Sequence, residues 1–176
     1  IWLDIDYMDE FRCFTFDPVA FPDPARLDAD LEAQGFRTIA IIDPGIKREP
    51  GYVVYDAGEA VDAWVRTYDG APYIGRVWPG ECVFPDFASQ RVRAWWGGLY
   101  ADFLALGIDG IWNDMNEPAI FDVDSKTMPD DNVHRADGDL GGTGPHARYH
   151  NVYGMLMARA TREGMLAVLR DPKVDS

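Results

Sequence analysis

The chain has 176 residues, 47% of them hydrophobic, with 30 acidic against 16 basic side chains and a formal net charge of -14. That size and composition fit one globular domain rather than a disordered chain, and the negative charge opposes non-specific binding to nucleic acid, whose phosphates demand Lys and Arg. No stretch reaches the roughly 20 apolar residues of a membrane span, no basic amphipathic face suggests a membrane surface, and Cys13 and Cys82 are too few for a disulfide framework.

The N-terminal stretch IWLDIDYMDE has neither a basic start nor a cleavage site. It begins in mid-strand, which predicts an internal piece of a longer protein. The compartment is left open, with a cytoplasmic location favoured over secretion. Trp2 to Asp6 reads as a short strand running into polar residues, followed by an aromatic-rich loop from Tyr7 to Pro24 that contains Phe11, Phe14, Phe16 and Phe21. Pro24 opens a helical pattern with Leu27, Leu31 and Phe36 on its apolar side, and Gly35 ends it. Arg37 to Ile42 is an apolar, β-branched second strand closed by Asp43-Pro44-Gly45.

A long Gly- and Pro-rich excursion follows from Ile46 to Phe87, with strand-like pieces at Gly51 to Tyr55 and Ala71 to Val77. Ser89 can cap a helix from Gln90 to Leu106 whose apolar side carries Val92, Trp95, Trp96, Leu99, Phe103 and Leu106. Ile108 to Asn113 is the third strand. Residues 122–149 form a polar loop too long to be a mere connector, and a last helix is predicted from about Asn151 to Leu169.

The order is strand, helix, three times over, with runs apolar on both faces, as parallel strands covered by helices require. All three strands end in carboxylates: Asp4 and Asp6, then Asp43, then Asp114 and Glu117. The strand-to-helix loops are long and the return turns, near Gly35 and Gly107, are short. In parallel α/β folds the strands' C-terminal ends form the active face. The predicted class is therefore α/β: a partial (β/α)8 TIM barrel of about three parallel βα units. Residues 1–176 form one incomplete catalytic barrel domain, with about half of the eight strands or more outside the chain.

Strand-end carboxylates can act as nucleophile or general acid, or accept hydrogen bonds from hydroxyl groups, while Trp78 and Trp112 supply flat apolar faces. A sugar ring matches both surfaces. A retaining glycosidase needs an ionised nucleophile and a protonated carboxylic acid about 5 Å away, and Asp114 is the candidate nucleophile. Asn113 and Asn116 beside it can donate hydrogen bonds that keep it ionised.

WNDMNEP at 112–118, DIDYM at 4–8, IIDPG at 41–45, and VWPG with VFPDF at 77–87 resemble glycoside hydrolase family 31, of the α-glucosidase type. The stretch HNVYGMLMARATREG is similar to the family's helix after the nucleophile strand. The resemblance implies a retaining α-glucosidase that removes terminal α-linked glucose from oligosaccharides through a covalent glucosyl–aspartate intermediate, with water and no cofactor completing turnover. Asp114 matches the nucleophile. Asp4 matches a residue that hydrogen-bonds sugar in the first subsite, and Ile41, Trp78, Trp112, Met115 and Phe121 match positions lining it. The family's acid/base aspartate, with an arginine and a histidine that contact sugar, matches nothing in this chain. The chain alone is therefore expected to be inactive.

Asp6 and Asp43 are read as either sugar contacts or supporting network, and Glu117 as either a group that holds a loop or Asn113 or a direct sugar contact. His134, His146 and His150 have no metal-ligand spacing, so they are expected to be exposed or to pin the long loop. Two rival readings stay open. One is a metal-dependent hydrolase using Asp4, Asp6, Asp43, Asp114 and Glu117; the other is a non-catalytic carbohydrate-binding fragment. The sequence assigns no oligomeric state.

Overall fold

The computed structural model describes residues 1–169. Three strands, β1 (Trp2–Leu3), β2 (Ile39–Ile42) and β6 (Gly110–Asn113), lie side by side in parallel, in that order. Trp2 pairs with Ile39, and Ile41 and Ile42 pair with Trp112 and Asn113. Ala40, Ile41 and Ile42 are buried, as expected of a central parallel strand covered on both faces. The sheet is open, three strands of the predicted partial α/β barrel. The first strand is shorter than predicted, because after Leu3 the chain turns into a 3₁₀ turn over Ile5–Tyr7, with the Asp4 side chain accepting from the Ile5 N–H.

Helix α1 (Pro24–Glu32) starts as predicted, with the Asp23 carboxylate accepting from the Arg26 N–H and Pro24 in the first turn. Its predicted core face is only partly covered: Leu31 is half-buried, Leu27 and Phe36 are exposed, and the buried residue of the helix is Asp28. At the entry to β2 the Thr38 hydroxyl donates to the Asp28 carboxylate. A Cβ on Gly107 would collide with that carboxylate.

The excursion after β2 carries β3 (Ile46–Lys47), α2 (Val53–Ala60), β4 (Gly75–Val77) and β5 (Gly80–Val83), with the three strands pairing antiparallel in the order β3-β5-β4. Gly51 to Tyr55, expected to be extended, instead enters α2. Two adjacent valines favour a strand locally, but packing overrides them: Val54 and Gly58 are buried, and Gly58 approaches the Trp64 ring so closely that a Cβ would collide with it. The expected single helix after Ser89 is two, α3 (Gln90–Gly98) and α4 (Tyr100–Leu104). At the junction the Leu99 N–H reaches back only to the Trp96 carbonyl, a 3₁₀-type bond that tightens the turn. Trp96 is fully buried, edge-on to Phe14 and Phe87, whereas Trp95 packs edge-on against Trp64 of the excursion.

A short antiparallel pair, β7 (Val133–His134) and β8 (Gly144–Pro145), crosses the loop after β6. Helix α5 (His146–Leu169) then begins five residues earlier than predicted. No capping side chain marks its start. Instead the Asn132 and Asp130 carbonyls accept from the His146 and Ala147 N–H groups, satisfying donors that an unaided helix end leaves free. Helices α3 and α5 approach backbone to backbone where Gly97 meets Gly164, and a Cβ on Gly164 would overlap the Gly97 backbone. Gly164→Ala is expected to lower stability by about 2 kcal/mol despite its better helix propensity, measured by urea unfolding of the complete enzyme.

Candidate active site

The C-terminal rim of the sheet is fixed by the first loop. Tyr7 donates its hydroxyl hydrogen bond to the Ile41 carbonyl at 2.8 Å, and the Cys13 thiol donates to the Asp43 carbonyl at 3.3 Å. Tyr52 in turn donates to the Cys13 carbonyl. Arg12 forms a two-pronged pair with Glu49 and a further one with Asp9, clamping the loop to the excursion. Both cysteines are free and buried. Phe14, Phe16 and Phe21 pack beneath this loop, Phe14 touching Trp96, Tyr100 and Phe103, and Phe16 touching Tyr7 and Phe21.

On this rim the strands present Asp4, Asp43 and Asp114 immediately after their last residues. Asp114 follows β6, its N–H directed at the Ile42 carbonyl at 3.4 Å, and is partly exposed. Asp4, Asp6 and Glu117 are exposed. Asp43 is buried, with 6% of its surface exposed and its Oδ1 lacking any hydrogen-bond partner. Burial pushes its carboxyl up to about 7, and the carboxylates of Asp114, Asp4 and Glu117 push in the same direction. Asp4, Asp43, Asp114 and Glu117 thus form one electrostatic group, to which Asp6 adds nothing on Asp43.

The expected support of Asp114 by its amide neighbours is not formed: among the described residues neither Asn113 nor Asn116 donates to it. Asn113 Nδ2 is buried without a partner, and Asn116 packs against α5 at Gly154, where a Cβ would lie 2.9 Å from the Asn116 carbonyl oxygen. Met115 takes a left-handed backbone with φ of 54°, and its carbonyl accepts from the Ala119 N–H. The chain therefore bends sharply just after Asp114.

Trp78 and Phe121 meet edge to face at 5.0 Å between ring centroids, both with exposed surface. Trp78 sits in the turn between β4 and β5, and the Phe121 N–H donates to the Arg76 carbonyl, so two distant segments meet as one aromatic corner. Trp112 contacts Trp2 edge-on at 5.9 Å. Ile41 is buried, with 2% exposure, and offers a ligand almost no surface.

The histidines differ from expectation in one respect. His134 and His146 are fully buried rather than exposed, but they do pin the long loop. His134 Nδ1 lies 2.7 Å from Asp86 Oδ1, His134 Nε2 lies 2.9 Å from His146 Nδ1, and Asp86 Oδ2 accepts from the Arg135 N–H. Burial holds His146 down at about 3, with His134 and His150 adding to it. Asp122, Asp124, Asp130 and Asp131 of the same loop are exposed. Among the described residues no three His, Cys, Asp or Glu side chains are grouped to hold a metal ion. No helix among them is long and apolar enough to cross a membrane.

Comparison with known proteins places these features in context. Residues 1–173 match a family model described as the glycosyl hydrolases family 31 TIM-barrel domain. The chain is 46% identical to Alpha-glucosidase 2 of Bacillus thermoamyloliquefaciens over 169 residues, covering 96% of the chain but 21% of that protein. It is 38% identical to Neutral alpha-glucosidase AB of Mus musculus, covering 94% of the chain and 17% of the relative. Among solved structures, a family 31 α-glucosidase from Bacteroides thetaiotaomicron superposes with a TM-score of 0.77 at 49% identity, over 96% of this chain and 26% of that one. A glucosidase II α subunit bound to alpha3-Glc2 gives 0.86 at 39% identity, over 94% and 18% respectively. The chain thus spans about a fifth of the length of the curated relatives it matches.

Proposed function

The chain belongs to glycosyl hydrolase family 31, and from that premise we propose that the complete enzyme is a retaining α-glucosidase to which this segment contributes the nucleophile and much of the first sugar subsite. The observation that carries the proposal is the position of Asp114, directly after β6 on the rim where Asp4 and Asp43 also lie. Barrel enzymes do their chemistry on that face.

In the first step an Asp114 oxygen attacks the anomeric carbon of a terminal α-linked glucose. The carbon–oxygen bond to the leaving sugar breaks as a carboxylic acid from outside this chain protonates that oxygen. The product is a glucosyl ester on Asp114 with inverted anomeric configuration. The same outside group, now a base, takes a proton from water, which attacks the anomeric carbon and releases glucose with net retention. Asp4 accepts hydrogen bonds from sugar hydroxyls. Trp78 and Phe121 supply an apolar edge against a ring face, consistent with their exposure, and Trp112 and Met115 flank the nucleophile in sequence. Residues 1–176 constitute part of a larger catalytic barrel domain. Its substrate is an α-glucoside oligosaccharide, and the segment by itself supplies only one carboxylate of the catalytic pair.

The test is trapping. A fluorosugar that forms the ester quickly and hydrolyses slowly is expected to inactivate the complete enzyme with one label per active site, on the peptide containing Asp114. Peptide mass spectrometry placing the label on another residue would sink the assignment.

A further inference from the structure

We infer that Asp43 is a positioning residue that keeps a proton in the working enzyme and donates it as a hydrogen bond to the Asp114 carboxylate, holding the nucleophile in its attacking orientation. The inference rests on the proposed role of Asp114 and adds a group that carries no bond-making step.

The sheet register supplies the geometry. Ile42 pairs with Asn113 in parallel, so Asp43 and Asp114 are the next residues on adjacent strands. Their side chains leave the same face of a sheet whose strands lie about 4.8 Å apart. Asp43 is almost wholly buried and its Oδ1 has no partner, an arrangement that buried carboxylates ordinarily avoid.

The titratable groups facing Asp43 come from every element around it. Asp4 approaches from the end of β1, and Asp114 and Glu117 from the end of β6. Tyr7 and Cys13 approach from the first loop, and Cys82 from β5. None of these is a cation. A carboxylate with three carboxylates near it, little water and no counter-charge is disfavoured on every count. Its neutral form has a proton to give, and ionised carboxylates are the acceptors at hand. The Cys13 thiol and the Tyr7 hydroxyl are already committed to backbone carbonyls of β2 and its end, so neither supplies Asp43 with a donor. Burial and the facing carboxylates together raise its titration to about 7, which makes the arrangement sensitive to pH in the working range.

The sign follows. Below about 7 Asp43 is protonated and the contact is intact; above it the proton leaves, and Asp43 and Asp114 repel. The experiment compares kcat and kcat/KM against pH for the complete enzyme and for its Asp43→Asn and Asp43→Leu variants. Asparagine copies the neutral donor and cannot ionise. Asp43→Leu is expected to lose about 100-fold in kcat with little change in KM. Asp43→Asn is expected to recover most of that loss below neutrality, and to shift the alkaline limb of kcat/KM upward by about one pH unit. An alkaline limb that stays in place, or an asparagine variant as poor as leucine at every pH, overturns the role of Asp43 while leaving Asp114 untouched. An enzyme with no α-glucosidase turnover would instead remove the functional assignment, and this inference with it. If neither variant folds, the side-chain carboxyl carbon-13 resonance of Asp43 in the complete wild-type enzyme decides: it should titrate near 7. Titration in the ordinary range near 4 overturns the inference.

Discussion

Replacing Asp114 by glycine in the complete enzyme is expected to lower kcat by about 10⁴-fold or more, with far less change in KM. The proposed site assigns substrate binding to Asp4 and the aromatic corner of Trp78 and Phe121, and bond-making at the anomeric carbon to Asp114 alone. The substitution leaves the backbone bond from residue 114 to the Ile42 carbonyl available, and residue 114 is only partly buried, so the fold has little reason to fail. The cavity left by the carboxylate should admit a small anion. Azide is expected to restore turnover of a substrate with a good leaving group, releasing a β-glucosyl azide: the new nitrogen–carbon bond forms on the face that Asp114 vacated as the bond to the leaving group breaks. Turnover within about tenfold of wild type, or an α-configured azide product, would remove Asp114 from the nucleophile's position.

The strands and the strand-end position of Asp114 were legible for different reasons. Ile39 to Ile42 announce a buried strand because four consecutive apolar residues cannot lie on one face of anything half-exposed. Asp114 was legible because its neighbours form a motif and a strand stops there. What the residues did not reveal depends on partners far along the chain. Val53 and Val54 favour extended backbone locally, yet they open a helix in which Gly58 comes too close to the Trp64 ring for any side chain. Leu27 and Phe36 have helical spacing and still lie exposed, while Asp28 of the same helix is buried against Thr38. Gly97, Gly154 and Gly164 read in isolation as weak helix residues. Each is instead a point of close approach, to a facing helix or to the loop after β6. Asp43 was recognised as a strand-end acid, but its burial is a property of the first loop folded over it.

The same separation hides the histidine cluster, and a second large effect is expected there. Asp86, His134 and His146 are 48 and 12 residues apart along the chain, yet they form one buried row of hydrogen bonds. Asp86 Oδ1 accepts from the ring N–H at His134 Nδ1, and His134 Nε2 and His146 Nδ1 share a second hydrogen bond. His146 Nε2 is buried without a partner. Asp86→Ala removes the acceptor for both His134 and the Arg135 N–H and strands two buried donors. The expected cost is about 3–5 kcal/mol. That loss should be local, because the cluster ties β7 and the first turn of α5 to the segment after β5. Hydrogen exchange of peptides spanning residues 130–150 in the complete enzyme is therefore the direct measurement, with protection falling there by about 100-fold or more. In the wild type the segment should also loosen as pH falls. The unfolded His146 takes a proton near 6.5, whereas the folded one resists until about 3, so the unfolded state binds more protons throughout that window and stability declines as it is crossed downward. Unaltered exchange in Asp86→Ala, or exchange in the wild type corrected for its intrinsic pH dependence that stays flat from about 6.5 down to about 4, would show that the row is a passive contact rather than the fastening of the loop that follows β6.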